Sequence, residues 1–158
     1  MFRTPLIPTT VNKPLTIVEL SREAGLRLLA EQSIGRIAFT FRDRVDIEPI
    51  SYVYADGWIY ARTSPGTKLT VISHHPFVAF EIDDVRSPTD WRCVVVHGTI
   101  YFIDPERNDE DRRTHAQALQ HLRSIDPDIL TENDTAPHRV QLFRIYVDEV
   151  TARSGRAL

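Results

Sequence analysis

The run Arg62-Thr63-Ser64-Pro65-Gly66-Thr67-Lys68 gathers three hydroxyls, a glycine and two cations in one short segment. Serine is a preferred helix N-cap, and proline fits the first helical position, whose N–H has no partner in any case. Ser64-Pro65 therefore predicts a helix start, with the helix running from about Pro65 to His75 and stopped by Pro76. Lys68 then falls in the first turn, where the helix dipole makes a cation cost about 0.3–1 kcal/mol. A bound anion would reverse that sign. A phosphate would take free N–H groups of the helix start, hydroxyls from Thr63, Ser64 and Thr67, charge from Lys68 and a bidentate contact from Arg62. Gly66 would let it approach the backbone closely. The alternative is that Lys68 points into water and Ser64 only caps a helix. Residue types alone leave these two readings level. A nucleotide P-loop fits poorly, because Thr67 stands where that motif has glycine and Leu69 where it has Ser or Thr.

Other reactive residues point less sharply. The histidines are His74, His75, His97, His115, His121 and His138. His74 and His75 are adjacent on the expected helix, so their side chains diverge, and a dipole interaction at the helix end suits them better than chelation. Cys93 lies in a strand with Arg92 on the opposite face and reads as a small core residue. Trp58, beside a hairpin turn, reads as packing, whereas Trp91, after a loop and beside Arg92, suits a site or an interface. Glu81, Asp83 and Asp84 read as a solvated edge without a general-acid partner.

Strands must position these groups. Gly35–Phe41, Val45–Tyr54, Trp58–Arg62, Phe77–Ile82, Trp91–Ile103 and Val140–Val150 read as strands, and Asp56-Gly57 as a hairpin turn. Apolar residues on both faces of Val45–Tyr54 suggest a strand with few exposed sides. Gly98 suggests a bulge. Helices are expected at Leu20–Gln32, capped by Ser21, at Pro65–His75, and at Pro105–Ser124, a charged surface helix. Asp83–Asp90 and Asp126–Pro137 read as loops, and Ala152–Leu158 as a short basic tail. Hairpin connections without strict strand–helix alternation favour a mainly β fold, an antiparallel barrel with peripheral helices.

The 158 residues suit one domain, 1–158, with an N-terminal arm over 1–15 and a helical insertion and loop over 105–137. No apolar run approaches the ~18 residues of a membrane span. A single cysteine excludes an internal disulfide framework, and a cytoplasmic protein is expected. The net charge of −3 supplies no general basic field for nucleic acid, so an anionic ligand needs a local cation.

Five segments in order resemble the pyridoxamine 5′-phosphate oxidase-like superfamily of flavin-binding split β-barrels, most of all its small flavin-nucleotide-binding branch. They are Gly35-Arg36-Ile37-Ala38-Phe39, Pro49-Ile50-Ser51-Tyr52-Val53-Tyr54, Ile59 to Leu69, Val78-Ala79-Phe80-Glu81-Ile82-Asp83 and Trp91 to Gly98. The resemblance implies a six-stranded antiparallel split barrel and a homodimer with FMN at the subunit interface. By position, it implies that Lys68 contacts the phosphate within a loop of Arg62, Thr63, Ser64 and Thr67. It implies that Pro49, Ile50, Ser51, Tyr52 and Val53 lie along the flavin ring, and that Trp91 and Arg92 close the site, often from the partner chain. The implied activity is a flavin-dependent oxidoreductase acting on a small molecule, with no catalytic side chain named. The alternatives are a non-catalytic flavin-binding or storage protein and a relative that binds a deazaflavin or haem. Val45-Asp46-Ile47-Glu48 lacks the arginine that true pyridoxamine phosphate oxidases carry there, and the tail Thr151 to Arg156 lacks their tryptophan. That activity is therefore not carried over. Nor is nitroimidazole reduction, whose enzymes often have histidine at the place of Arg62.

Overall fold

A computed structural model describes residues 13–71 and 76–157. The strands are β1 (Leu15–Leu20), β2 (Ile34–Phe41), β3 (Arg44–Ala55), β4 (Trp58–Thr63), β5 (Phe77–Ser87), β6 (Asp90–Phe102) and β7 (Gln141–Ala157). Helix α1 (Arg22–Glu31) precedes β2, α2 (Asp109–Leu122) precedes β7, and a single 3-10 turn covers Lys68–Val71.

Six strands close into a ring in the order β7-β4-β3-β2-β5-β6, with β6 pairing back onto β7. This is the expected antiparallel barrel. The seventh strand, β1, lies outside the ring. The first part of β7 pairs with β4, from Gln141↔Thr63 to Tyr146↔Trp58. Its last part pairs with β1, from Ala152↔Leu20 to Ala157↔Leu15. Turn chemistry sets the hairpins: Asp56 and Gly57 have φ of 52° and 86°, as a two-residue type I′ turn requires. Arg42 and Asp43 turn β2 into β3 with φ of 47° and 59° without a glycine.

Leu28 and Leu29 of α1 join Ile37, Tyr52, Ile59, Phe80 and Phe143 in the barrel core. Ser21 caps α1 by accepting from Ala24 N at 3.1 Å. Tyr52 ties α1 to the barrel, its buried hydroxyl donating to Leu29 O at 2.6 Å. A Cβ on Gly25 would stand 2.9 Å from Ala152 Cβ, so this glycine lets α1 lie close on β7. Gly98 marks the expected bulge, where the β6–β7 register shifts. A Cβ there would meet Tyr146 O at 2.1 Å. A second cluster, Tyr60, Ile103, Ala118, Leu122, Ile129 and Leu142, packs α2 and the following loop against the outer side of β4.

Several expectations need correction. Thr16-Ile17-Val18 form β1 rather than leading into a helix at Leu20. The charged stretch after Ile82 continues β5 to Ser87, because cross-strand partners neutralise its acids: Arg36 lies 3.3 Å from Glu81 and 3.5 Å from Asp83. The basic tail belongs to β7, held on both edges by β1 and β6. Helix α2 begins at Asp109, capped by Asn108, whose side chain accepts from Asp111 N, and it buries Ala118 and Leu122 rather than being solvated all round. The outer face of β3 is open: Val45 is 77% and Ile47 64% exposed. The helix expected from Pro65 begins only at Lys68, as the 3-10 turn; its continuation to His75, with His74 and His75, lies outside the described residues.

Candidate functional site

The β3–β4 ladder runs from Ala55↔Trp58 to Tyr52↔Ala61 and stops there. Beyond it β4 continues along β7 to Thr63, while β3 stays paired with β2. The two strands part, and two cavities open at the parting. A smaller one of about 180 Å³ is lined by Pro49 and Ile50 of β3, Thr63 at the end of β4, Ser64 and Thr67, among others. A larger one of about 290 Å³ follows β3 past Ile50 and Ser51 toward Ser33 and Ile34. Ile50, Arg62 and Arg139 line both. The cavities thus form one groove, walled on its far side by the loop between α2 and β7.

Alternation along β3 gives the groove its floor. Pro49 and Ser51 face outward and are exposed; Ile50 and Tyr52 turn into the core. At the smaller cavity Thr63 Oγ1 and Thr67 Oγ1 lie 3.4 Å apart. Gly66, with φ of 76°, takes the backbone through a left-handed turn that a side chain would strain. Thr70 N and Oγ1 both donate to Thr67 O, at 3.0 and 2.7 Å, fixing the turn that follows.

The structure therefore brings together Pro49, Ile50, Ser51, Arg62, Thr63, Ser64 and Thr67. Tyr52 and Val53 lie within the β3–β4 ladder; Tyr52 is a core residue and Val53 packs on the α2 cluster. Lys68 follows Thr67 in the chain but lines neither cavity; it is 57% exposed, with Nζ 3.5 Å from Asp46 Oδ2 and 5.9 Å from the Phe41 ring centroid. Trp91 and Arg92 line a separate cavity of about 310 Å³ near the β5–β6 hairpin, where Arg92 Nη2 meets Asp84 Oδ2 at 2.5 Å.

Arg62 differs most from its expected role as a free phosphate ligand. Its guanidinium grips Asp134 with Nη1 at 2.7 Å and Nη2 at 2.9 Å. Nη1 also lies 3.4 Å from the carbonyls of Ala136 and Arg139. Hydrogen bonding to Arg62, helped by the N–H groups of Ala136 and Leu130, holds the Asp134 carboxyl well below the usual carboxylate range. Sequence reasoning missed His138 and Arg139, which line the smaller cavity. Their signal was a basic pair after Pro137 just before the last strand, but the loop's course depends on Asp134, which nothing local links to Arg62.

Elsewhere, burial pushes the Cys93 thiol up, and the Glu81 charge adds to this. That opposes a reactive thiolate. Trp58 sits in an aromatic cluster with Tyr101 and Tyr146 and carries the Arg144 guanidinium 3.7 Å from its ring. Among the described residues no group of three or more His, Cys, Asp or Glu side chains is placed to hold a metal, and no helix is long and apolar enough to cross a membrane.

A six-stranded antiparallel ring, opened where β3 and β4 part and grooved at that opening, is a split β-barrel. The chain belongs to the pyridoxamine 5′-phosphate oxidase family, whose model matches residues 21–154. It is 32% identical over 126 residues to the uncharacterized protein Rv0080 of Mycobacterium tuberculosis, covering 73% of this chain and 83% of that relative. Among solved structures it resembles an FAD-binding protein of Mesorhizobium loti, with a TM-score of 0.70 and 22% identity over 87% of this chain and 97% of that one. It also resembles the FAD-binding protein of Mycobacterium smegmatis, with a TM-score of 0.65 and 24% identity over 88% and 100% of the respective chains. At these identities the structural likeness speaks for the fold.

Proposed function

We propose that the protein binds a flavin in the groove between β3 and β4, with the phosphate of the FMN moiety in the smaller cavity. We further propose that it acts as a flavin-dependent oxidoreductase on a small molecule. The observation that carries the reading is the donor set at the parting of the strands: hydroxyls of Thr63, Ser64 and Thr67 around one cavity, with Lys68 beside them. Such a set fits a phosphate, which needs several hydrogen-bond donors and a cation. The adjoining cavity, along the unpaired edge of β3 at Ile50 and Ser51, offers backbone groups and an apolar wall to a planar ring. The FAD-binding character given for the Mesorhizobium loti and Mycobacterium smegmatis proteins supports a flavin. FMN and FAD share the half of the molecule these cavities suit.

A bound flavin would supply the redox chemistry, taking and passing on a hydride or electrons. This chain's residues would anchor and orient it. Thr63, Ser64 and Thr67 would donate to the phosphate, Lys68 would exchange Asp46 for it, and β3 would set the ring's plane. In this reading the protein is a homodimer. Exposed Val45, Ile47 and Phe77 give it an apolar outer face to bury, and Trp91 with Arg92, away from their own groove, would close that of the second copy. A cytoplasmic setting suits the single free thiol of Cys93.

The test is the absorption spectrum of the purified protein, followed by titration of flavin-free protein with FMN, FAD and riboflavin. Oxidised-flavin bands and tighter binding of FMN than of riboflavin are expected. Equal affinity for FMN and riboflavin would remove the phosphate assignment. Stopped-flow reoxidation of the reduced protein with candidate acceptors separates an oxidoreductase from a flavin store: turnover faster than with free flavin is expected of the enzyme.

A further inference from the structure

We propose that Arg139 is the principal cation of the phosphate cavity, and that Asp134 is the residue that positions it; the inference rests on the flavin reading above. A count of charge around the cavity leads to Arg139. Glu48, Arg62 and Arg139 line it, together with His138. The Arg62 charge is met by Asp134 at 2.7 Å, and the nearby Lys68 by Asp46 at 3.5 Å. Glu48 adds a negative charge. Arg139 forms no ion pair among the described residues, so it alone of these arginines and lysine brings an unmatched positive charge to the cavity. A dianionic phosphate beside Glu48 needs that charge.

The loop holds Arg139 in place by two devices. Ala136-Pro137-His138-Arg139 is a β-turn, closed by Arg139 N donating to Ala136 O at 3.0 Å. Proline at its second position has the φ such a turn uses. The turn is then pinned to β4. Asp134 receives Arg62 on one side and the N–H groups of Ala136 and Leu130, at 2.9 and 2.8 Å, on the other. Arg62 Nη1 also lies 3.4 Å from Arg139 O. Arg62 thus serves the phosphate indirectly: it spends its own charge on Asp134 and so holds Arg139 at the wall shared by both cavities.

The experiment compares the affinities of flavin-free protein for FMN and riboflavin in the parent, Arg139→Ala, Arg139→Lys, Asp134→Asn and the Arg139→Ala/Asp134→Asn double variant. Riboflavin lacks the phosphate, so the ratio of the two affinities reports the anion site and not the fold. Arg139→Ala should weaken FMN by about tenfold or more, as loss of a charge-assisted hydrogen bond does, and leave riboflavin unchanged. Arg139→Lys should recover part of the loss. Asp134→Asn should lower the same ratio, with no further effect in the Arg139→Ala background. Pro137→Ala, which leaves the ion pair intact, should lower the ratio by a smaller factor and provides the positioning test if Asp134→Asn does not fold. A parent that prefers FMN while Arg139→Ala keeps the parental ratio overturns the role of Arg139. Independent, multiplying losses in the double variant, or an unchanged ratio in Pro137→Ala where that variant stands in, overturn the positioning role of Asp134. A parent with no preference for FMN overturns the phosphate reading itself, and this proposal with it.

Discussion

Arg62 and Asp134, 72 positions apart in the chain, meet in a two-pronged ion pair that fastens the loop before β7 to the end of β4. This pair gives stability a pH signature. The Asp134 carboxyl is depressed in the folded protein, chiefly by its hydrogen bonds to Arg62, whereas an unfolded aspartate titrates near 3.9. Its contribution is therefore complete above about pH 4 and is lost as pH falls further toward the folded value. Urea denaturation between pH 2.5 and 6 should show stability falling on the acid side. Asp134→Asn should be less stable than the parent at pH 6 and have a shallower acid limb. An acid limb of unchanged slope would show that other carboxylates set it.

Lys68→Ala separates binding from folding. The side chain is 57% exposed and its pair with Asp46 is open to solvent, so the fold loses little, as surface ion pairs contribute about 0–1 kcal/mol. FMN affinity should drop by about tenfold, the loss of a charge-assisted contact, while the thermal midpoint stays close to the parent's. Fluorescence titration and a thermal melt on the same sample check both halves.

Gly25→Ala sets two effects against each other. Alanine in a helix interior gains about 1 kcal/mol over glycine. Here its Cβ would stand 2.9 Å from Ala152 Cβ and 3.1 Å from Val150 Cγ1, both on β7, and overpacking typically costs about 1–3 kcal/mol. A sheet strand paired on both edges has little room to retreat, so the clash should win. Chemical denaturation should find the variant less stable, despite its better helix former.

Val45→Asp tests the homodimer. Val45 is 77% exposed in the single chain, and Phe77, with which it lines an outer cavity beside Ala38, Phe39 and Thr40 of β2, is 76% exposed. A charge placed there costs a lone chain nothing in burial, whereas in a dimer it would be desolvated across the interface. Sedimentation should move from dimer to monomer with the circular dichroism spectrum unchanged, and flavin affinity should fall with it. A parent that sediments as a monomer ends the proposal.

The parts of the fold that were legible in the sequence are those governed by local chemistry. Ser21 caps α1, Asp56-Gly57 turns β3 into β4, and Gly98 carries the bulge, each through a backbone need its own side chain meets. Six of the seven strands were readable from alternation, β-favouring residues and the turns between them. What escaped was decided by distant partners. Asp83 and Asp84 look like loop residues until Arg36 and Arg92 are set across from them. Arg153-Ser154-Gly155-Arg156 looks like a tail until β1 and Trp91 cover it; a Cβ on Gly155 would strike the Trp91 ring. At the candidate site, the hydroxyls and the floor of β3 were readable. The fate of Arg62 was not, because its partner comes from a loop 72 positions away that no local pattern ties to β4.

The length of β7 bears on how the chain reaches this shape. The β2–β3–β4 meander and the β5–β6 hairpin join neighbours in sequence and need only short loops to close. β2 and β5 join them on one side; on the other β7 closes the ring, pairing with β4 and β6 and, through Ala157↔Leu15, with the far end of the described chain. Such long-range pairing is entropically slow. Until it is made, β4 and β6 each present an open edge, the kind of surface through which strands of separate molecules associate. The interval before β7 docks is thus when this protein is most exposed to aggregation, and variants that weaken β7 should reduce soluble yield more than their effect on final stability would suggest.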